Sequence, residues 1–131
     1  MKKILLIDDT VEIYHMVVHS VRGAADVTWA KCLHEATVLL EERKFNLMIL
    51  DIELPDGDGI EFCSRIKPIH PDVPVLFITS HTTLEEKKLA FKVGGDGFIA
   101  KPFSPPALFE RIQSLGTEEG FSEALELYLV G

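Results

Sequence analysis

The stretch KILLIDD at residues 3–9 joins an unbroken apolar run to two adjacent carboxylates, Asp8 and Asp9. A second apolar run, LMIL at residues 47–50, ends in the same way on Asp51. Runs of this length without polar alternation are typical of strands buried on both faces of a parallel sheet. In such sheets the functional crevice lies beyond the carboxyl ends of the strands. We therefore expect the three acids to converge, and a cluster of like charges calls for a divalent cation.

The composition indicates one globular domain, because the chain has 131 residues, of which 47% are hydrophobic. The formal net charge of −8 argues against direct nucleic-acid binding by this domain. No apolar run approaches a membrane span of about 20 residues, and the N-terminal run is too short for a secretion signal. Cys32 and Cys63 form no CxxC pair, so we expect buried free thiols and a cytoplasmic protein.

Strand-like and helix-like segments alternate along the chain. Apolar, strand-like runs occur at residues 3–8, 26–30, 45–50, 73–79 and 97–100. Helical patterns or helix-start signals occur at residues 10–21, 33–43 and 59–66, from Thr82 or Thr83 to Gly94, and from Ser104 to Leu115. The stretch DGDG at residues 56–59 predicts a turn and lacks the spacing of a calcium loop. Five strands alternating with five helices predict an α/β fold with a doubly wound parallel sheet.

Two further strand ends carry polar groups. Thr79 and Ser80 follow one apolar run, and Lys101, followed by Pro102, ends another. A carboxylate can act as a nucleophile and hold a phosphoryl group, and magnesium takes one or two carboxylates while keeping several waters. A lysine and a hydroxyl can bind the remaining phosphoryl oxygens. The set therefore suits phosphoryl transfer, in which catalysis is mostly positioning and charge stabilisation.

These motifs, in this order and each at a strand end, resemble those of response-regulator receiver domains, the phosphoacceptor half of bacterial two-component systems, which include chemotaxis regulators. The resemblance covers residues 1–116, which we take as the receiver domain. It implies a flavodoxin-like fold with strand order 2-1-3-4-5. It also implies a signalling domain, not an enzyme, that catalyses only its own phosphorylation and dephosphorylation.

The resemblance assigns a role to each motif residue. Asp51 is implied to be the phosphoacceptor, and Asp9 and Asp51 to ligate Mg²⁺ together with the backbone carbonyl of Glu53, while Asp8 acts mainly through water. Thr79 and Lys101 are implied to contact the phosphoryl group. Phe98 takes the position of the switch aromatic, so we expect it to rotate inward when Thr79 moves toward the phosphoryl group.

Some expectations concern residues beside this set. The ammonium of Lys101 must turn back over its strand end toward Asp51, which a cis proline would allow; we therefore predict a cis Lys101–Pro102 bond, although only about 5–6% of such bonds are cis. The resemblance implies that Glu53 and His81, with Ser80 beside them, flank the path of attacking water. Glu53 and His81 are therefore expected to set the lifetime of the phosphoryl group, while Ser80 only flanks the site.

The resemblance also implies partners. A histidine kinase or a phosphotransfer protein is the expected donor of the phosphoryl group. The surface expected to change on phosphorylation comprises the helix at residues 83–93, the strand at 97–100 and the helix at 104–115. We expect this surface to bind a partner protein or a second copy of the chain, which would make a homodimer. Neither nucleic acid nor a membrane is expected to bind to the domain itself.

Two other interpretations of the motifs stay open. A phosphatase of the haloacid-dehalogenase type also uses a strand-end aspartate, a hydroxyl, a lysine and an acid pair around magnesium. However, the stretch DIE at residues 51–53 lacks the second aspartate of those enzymes, and the acid pair precedes the nucleophile. The other interpretation is a receiver-like docking module that is not phosphorylated. The complete set of acids, hydroxyl and lysine argues against it.

Residues 117–131 extend beyond the receiver pattern. Phe121, Leu125, Tyr128 and Leu129 recur at helical spacing and predict a short amphipathic helix. Isolated helices under about 12–15 residues are marginal in water. We therefore expect a linker or dimer helix, and the alternative is a frayed end of the preceding helix.

Overall fold

The computed structural model describes residues 2–80 and 83–115, in which the apolar runs form one parallel sheet. The strands, numbered in chain order, are β1 (Lys2–Ile7), β2 (Ala25–Ala30), β3 (Leu47–Asp51), β4 (Glu53–Leu54), β5 (Gly57–Asp58), β6 (Val75–Thr79) and β7 (Gly97–Ala100). Five of them form the main sheet in the order β2-β1-β3-β6-β7, and all neighbours are parallel. Counted without the short β4 and β5, this is the predicted order 2-1-3-4-5.

Helices cover both faces of the sheet. Within the described residues they are α1 (Val11–Ser20), α2 (Leu33–Glu42), α3 (Gly59–Ile66), α4 (Leu84–Lys92) and α5 (Pro105–Ser114). On one face, Val17 of α1 and Leu108 of α5 pack in a buried cluster with side chains of β1 and β3. On the other face, Ala36, Phe62 and Ala90 place α2, α3 and α4 in a second cluster. The predicted doubly wound architecture is therefore confirmed.

The helix-start signals in the sequence act as predicted at two helices. Thr83 caps α4 in a reciprocal capping box with Glu86, which lies three residues later. Ser104 accepts a hydrogen bond from the backbone N–H of Ala107, and Pro105 occupies the first position of α5. Strand boundaries differ more from prediction, because β3 begins at Leu47 and includes Asp51. The differences reflect ladder pairing, which the sequence pattern does not show.

The segment after β3 is more ordered than the predicted turn. Residues 53–58 form the antiparallel hairpin β4–β5, which the sequence analysis does not predict. At its turn, the two carboxylate oxygens of Asp56 accept hydrogen bonds from the backbone N–H groups of Leu33 and His34, at 2.8 and 3.0 Å. The Leu33 bond, with that of His34, holds the pKa of Asp56 below its usual value. Asp56 therefore caps α2 from a loop more than twenty residues away.

The two thiols differ in environment. Cys63 is buried and its pKa is raised by burial to about 11. Cys32 is partly exposed, so the expectation of two buried thiols is wrong for this residue. The reason is that Cys32 is the cap residue before α2, at the surface, and not on the inward face of the helix.

Several predictions fall outside the described part of the chain. These concern His81, Thr82, Gly116 and the segment 117–131, so the expected linker or dimer helix and the domain boundary at residue 116 stay predictions. Within residues 2–80 and 83–115, no helix has the length and apolar character needed to cross a bilayer.

Candidate functional site

The ends of β1 and β3 bring the predicted acids together. Ile7 lies opposite Leu50 in the parallel ladder, so the next residues, Asp8 and Asp51, are level with each other. Carboxylate oxygens of Asp8, Asp9 and Asp51 all lie within 4.8 Å of one another. Asp8 and Asp51 are 0% and 5% exposed, respectively, whereas Asp9 is at the surface. The crevice beyond the strand ends therefore holds a partly buried cluster of three acids.

The side chain of Asp8 is held by its own loop. Its Oδ1 accepts hydrogen bonds from the backbone N–H and the hydroxyl of Thr10, at 2.9 and 2.7 Å. Its Oδ2 lies 2.9 Å from the ammonium of Lys101, but the angles are not those of a hydrogen bond. Among the described residues, this buried oxygen has no hydrogen-bond partner. The contact with Lys101 is therefore an ion pair that leaves lone pairs of Oδ2 available.

Asp51 sits between a backbone donor and an ammonium group. Its Oδ1 accepts a hydrogen bond from the backbone N–H of Glu53 at 3.2 Å, and its Oδ2 accepts one from Lys101 Nζ at 3.1 Å. Burial raises the pKa of Asp51 to about 6 from 3.8, assisted by the charge of Asp8 and opposed by Lys101. The loss of hydration on burial thus raises the pKa of Asp51 by more than Lys101 lowers it. The metal-free site therefore strongly disfavours a third negative charge.

Lys101 reaches both buried acids from the end of β7. Its backbone N–H donates to the carbonyl of Thr79 at 2.7 Å, which extends the β6–β7 pairing past the last residue of β7. The Lys101–Pro102 bond is cis, the geometry predicted from the sequence. Burial alone would lower the pKa of Lys101, but its close contacts with the carboxylates of Asp8 and Asp51 outweigh burial and raise the pKa. Lys101 is therefore a permanent cation in the site.

The donor set of this site fits a hard divalent cation. Three carboxylates and one ammonium leave two negative charges, which one divalent ion would neutralise. The buried Oδ2 of Asp8 has lone pairs to offer, and oxygen ligands of this kind are those that Mg²⁺ prefers. An exposed group of acids would be weak evidence, but two of these three are buried. The residues present therefore fit the predicted Mg²⁺.

The remaining predicted residues surround this cluster. Thr79, at the end of β6, is 2% exposed, and the next residue, Ser80, is at the surface. In the β3–β6 ladder, Asp51 lies opposite Ile78, so Thr79 is one step beyond the acid. The side chain of Glu53 is exposed at the mouth of the site.

Phe98 is already inside the protein. Its ring is 0% exposed and lies 5.9 Å from that of Phe77 and 6.3 Å from that of Phe91, measured between centroids. The resemblance of the sequence to receiver domains predicts that the ring rotates inward on phosphorylation. From this conformation no further inward rotation is available, because the ring already fills the core between β7 and α4.

Three residues near the site were not predicted from the sequence. Thr10 anchors Asp8, and its position two residues after an aspartate is a turn signal that could have revealed it. Trp29 donates its indole N–H to the backbone carbonyl of Asp8 at 2.7 Å. Asp56 ties the hairpin after Asp51 to α2. No local pattern points to the last two contacts, since each joins segments more than twenty residues apart.

We expect the buried charge of Asp51 to destabilise the metal-free protein near neutral pH. The folded-state pKa of about 6 lies above the ordinary value of 3.8, so the folded state binds this proton more tightly than the unfolded state. The stability contributed by that proton is fully present below about pH 4 and is lost as the pH rises through about 6. Asp51→Asn, which carries no charge, should raise the free energy of unfolding by about 1–3 kcal/mol at about pH 8.

Urea denaturation in EDTA, from about pH 4.5 to about pH 8, measures this effect as the difference between wild type and Asp51→Asn. Other titrating groups are common to both proteins and largely cancel in the difference. Asp72→Asn removes an exposed acid outside the cluster and should give a nearly constant difference. A constant difference for Asp51→Asn, or lower stability of this variant at the alkaline end, would contradict the expectation.

Comparison with known proteins identifies the family. Residues 4–113 match the family model of the response regulator receiver domain. Over 115 residues the chain is 33% identical to the alkaline phosphatase synthesis transcriptional regulatory protein PhoP of Bacillus subtilis (strain 168), and the match covers 87% of this chain and 48% of PhoP. The chain spans about half the length of the curated relatives it matches in this way.

Solved structures agree with this result. A CheY-like response regulator receiver domain protein from Methanospirillum hungatei JF-1 has a TM-score of 0.82 at 28% identity, with 96% of this chain and 98% of that one covered. The BeF3-activated receiver domain of DrrB, a Thermotoga maritima OmpR/PhoB homologue, has a TM-score of 0.78 at 29% identity, with 94% and 98% covered. Because the receiver model matches most of its length, the chain belongs to the response regulator receiver domain family.

Proposed function

We propose that this receiver domain carries its phosphoryl group on Asp51, which accepts it from a phosphohistidine of a histidine kinase or a phosphotransfer protein. The position of Asp51 carries the proposal. The residue is 5% exposed, ends β3, lies 3.1 Å from the ammonium of Lys101 and belongs to the three-acid cluster. A nucleophilic carboxylate, a fixed cation and a metal-binding acid pair are the groups that phosphoryl transfer to an aspartate requires.

The transfer forms one bond and breaks another. A carboxylate oxygen of Asp51 attacks the phosphorus atom, the P–N bond breaks, and its electron pair returns to the imidazole ring, which keeps or takes up a proton. Asp51 then carries an acyl phosphate, and later attack by water regenerates the carboxylate and releases inorganic phosphate. Because its pKa is raised only to about 6, Asp51 is mostly ionised and nucleophilic at neutral pH. The domain would catalyse only these two reactions on itself.

The other site residues bind and orient the phosphoryl group. Lys101 would hold a phosphoryl oxygen with the ammonium that now contacts Asp51 and Asp8. Thr79 would donate its hydroxyl to a second oxygen. Asp8, Asp9, Asp51 and the backbone carbonyl of Glu53 would hold the Mg²⁺, with Asp8 acting mainly through water. When bound there, Mg²⁺ supplies positive charge to the acids and to the transferring phosphoryl group.

Phosphorylation would change the surface formed by α4, β7 and α5. Thr79 and Phe98 connect the site to this surface, since Thr79 ends β6 and the Phe98 ring contacts Phe91 of α4. Because Phe98 is already inward, movement of Thr79 would change the packing around this ring without a further rotation. We propose that a partner protein or a second copy of the chain binds this surface. Glu53 and His81 would set how long the acyl phosphate survives.

The proposal also concerns the output, which is the activity that the receiver domain controls. PhoP is by name a transcriptional regulator, and the chain spans about half of its length. We propose a cytoplasmic protein in which the receiver controls an output of this general kind without itself binding nucleic acid, in keeping with its net charge of −8. The phosphatase and docking-module interpretations lose support, because the match is to receiver domains and the acid, hydroxyl and lysine set is complete.

Mg²⁺ titration tests the metal site directly. We expect Mg²⁺ to bind the wild type and to raise its unfolding midpoint, because it neutralises the buried acids. Asp9→Asn should weaken binding about tenfold or more, as loss of a ligand does. This variant is informative because Asp9 is exposed and, within the described residues, makes no hydrogen bond or ion pair that the substitution would break.

The matched control is Glu12→Gln, which removes an exposed negative charge three residues away on α1. It should leave the Mg²⁺ dissociation constant, measured by isothermal titration calorimetry, nearly unchanged. Equal weakening by Glu12→Gln and Asp9→Asn would mean that Mg²⁺ responds to general surface charge. That result would refute the proposed ligand set.

A further inference from the structure

Trp29 reaches the acid cluster from β2, the strand at the edge of the sheet. Its indole Nε1 donates a hydrogen bond to the backbone carbonyl of Asp8 at 2.7 Å. The ring of Tyr14 of α1 stacks on the indole at 4.7 Å between centroids with planes 10° apart. The ammonium of Lys31 lies 4.9 Å from the centre of the ring. The indole donor is therefore already bonded to the Asp8 carbonyl without a metal ion.

The bond from Trp29 completes the anchoring of the Asp8 backbone. The N–H of Asp8 donates to the carbonyl of Ala30 at 3.1 Å, which continues the β1–β2 ladder by one residue. The carbonyl of Asp8 belongs to the same planar peptide unit as the N–H of Asp9. By holding the Asp8 carbonyl, Trp29 thus sets the orientation of the peptide unit between Asp8 and Asp9.

The direction of the Asp9 carboxylate depends on this backbone more than the directions of the Asp8 and Asp51 carboxylates do. Thr10 and Lys101 hold the carboxylate of Asp8, and Glu53 and Lys101 hold that of Asp51. Within residues 2–80 and 83–115, the carboxylate of Asp9 has no hydrogen bond or ion pair that would direct it. The direction of Asp9 into the site therefore follows from the peptide that precedes it.

We propose that Trp29 is a positioning residue for the metal site, which acts by holding the Asp8 carbonyl so that Asp9 points at the cation. The inference rests on the proposed Mg²⁺ role of the acid cluster. Partners of this kind, which orient a ligand without touching the metal, commonly contribute to metal affinity. A neutral hydrogen bond of this type corresponds to about a fivefold change in an equilibrium constant.

Calorimetric Mg²⁺ titration of variants of the 131-residue chain tests the inference. Trp29→Phe keeps an aromatic ring against Tyr14 but has no N–H, and should bind Mg²⁺ about fivefold more weakly than wild type. Tyr14→Leu removes the stacking ring and keeps the donor, so its Mg²⁺ affinity should stay close to that of wild type. Wild-type affinity in Trp29→Phe would overturn the inference. Equal weakening in the two variants would also overturn it, because packing would then explain the effect.

Tryptophan emission gives a second readout that needs no Trp29 variant. The chain contains one tryptophan, so the emission reports on Trp29 alone. Mg²⁺ should change the emission of the wild type, because the cation neutralises the acids beside the carbonyl that the indole contacts. The midpoint should equal that in calorimetry, and Asp9→Asn should shift both midpoints together. Constant emission at saturating Mg²⁺ would overturn the inference even if Trp29→Phe fails to fold. Failure of the wild type to bind Mg²⁺ would refute the proposed metal site itself, whereas the outcomes above concern only Trp29.

Discussion

Asp51→Asn should abolish phosphorylation of this protein. Incubated with Mg²⁺ and acetyl phosphate or a phosphohistidine donor, the wild type should gain one phosphoryl group, and the variant should gain none. The reason is that the amide of asparagine is a very poor nucleophile, while Lys101 and the acid pair that surround it are left in place. Intact-mass spectrometry measures the gain, and hydroxylamine should remove it, because hydroxylamine cleaves acyl phosphates but not phosphoesters.

Two comparisons make this result specific. Asp72→Asn is the same chemical change at an exposed aspartate away from the cluster, and it should be labelled like wild type. Borohydride reduction of the labelled protein should convert Asp51, and no other aspartate, to homoserine. Full labelling of Asp51→Asn would refute the assignment of the phosphoacceptor. Labelling that resists hydroxylamine would point to a serine or threonine instead.

Gly59→Ala should be strongly destabilising, although alanine normally favours a helix over glycine. Gly59 is the first residue of α3, and a Cβ there would overlap the backbone carbonyl oxygen of Asp51 and lie 3.0 Å from Cα of Ile52. These are backbone atoms, so neither can turn aside as a side chain would. We expect a loss of about 2–4 kcal/mol in the free energy of unfolding, measured by urea denaturation. Because the nearest colliding atom is the backbone carbonyl oxygen of the phosphoacceptor, labelling of Asp51 should slow as well.

Gly23→Ala separates the cost of a left-handed backbone conformation from the cost of a steric overlap. Gly23 has φ of +81°, but among residues 2–80 and 83–115, apart from its two chain neighbours, no heavy atom lies within 4 Å of the position of an added Cβ. It should therefore lose only about 1–2 kcal/mol, from the left-handed backbone conformation, and keep the wild-type rate of phosphorylation. If both glycine variants lost similar stability and labelled at similar rates, close packing at Asp51 would not explain the effect at Gly59.

Much of the fold and of the candidate site could be predicted from local sequence. The apolar runs before Asp8 and Asp51 form β1 and β3, and both runs are buried, as unalternated strands require. The cap residues Thr83 and Ser104 begin the predicted helices. These features could be predicted because each depends on neighbouring residues. The burial of a strand depends on the apolar pattern along one segment. Capping depends on a side chain and a backbone N–H group three residues apart. The acids, the hydroxyl and the lysine could be placed at strand ends for the same reason.

Contacts between distant segments were decided by the tertiary structure. The ladder register sets Asp8 level with Asp51. Lys101, which follows Asp51 by fifty residues, is the counter-ion of both acids. The bond from Trp29 to the Asp8 carbonyl has no local signature. The same is true of the overlap that excludes a Cβ at Gly59, and of the partial exposure of Cys32. The amino-acid sequence by itself determined which chemical groups end each strand. Packing of strands and helices decided their distances, because register and close approach depend on the whole core and not on any one segment.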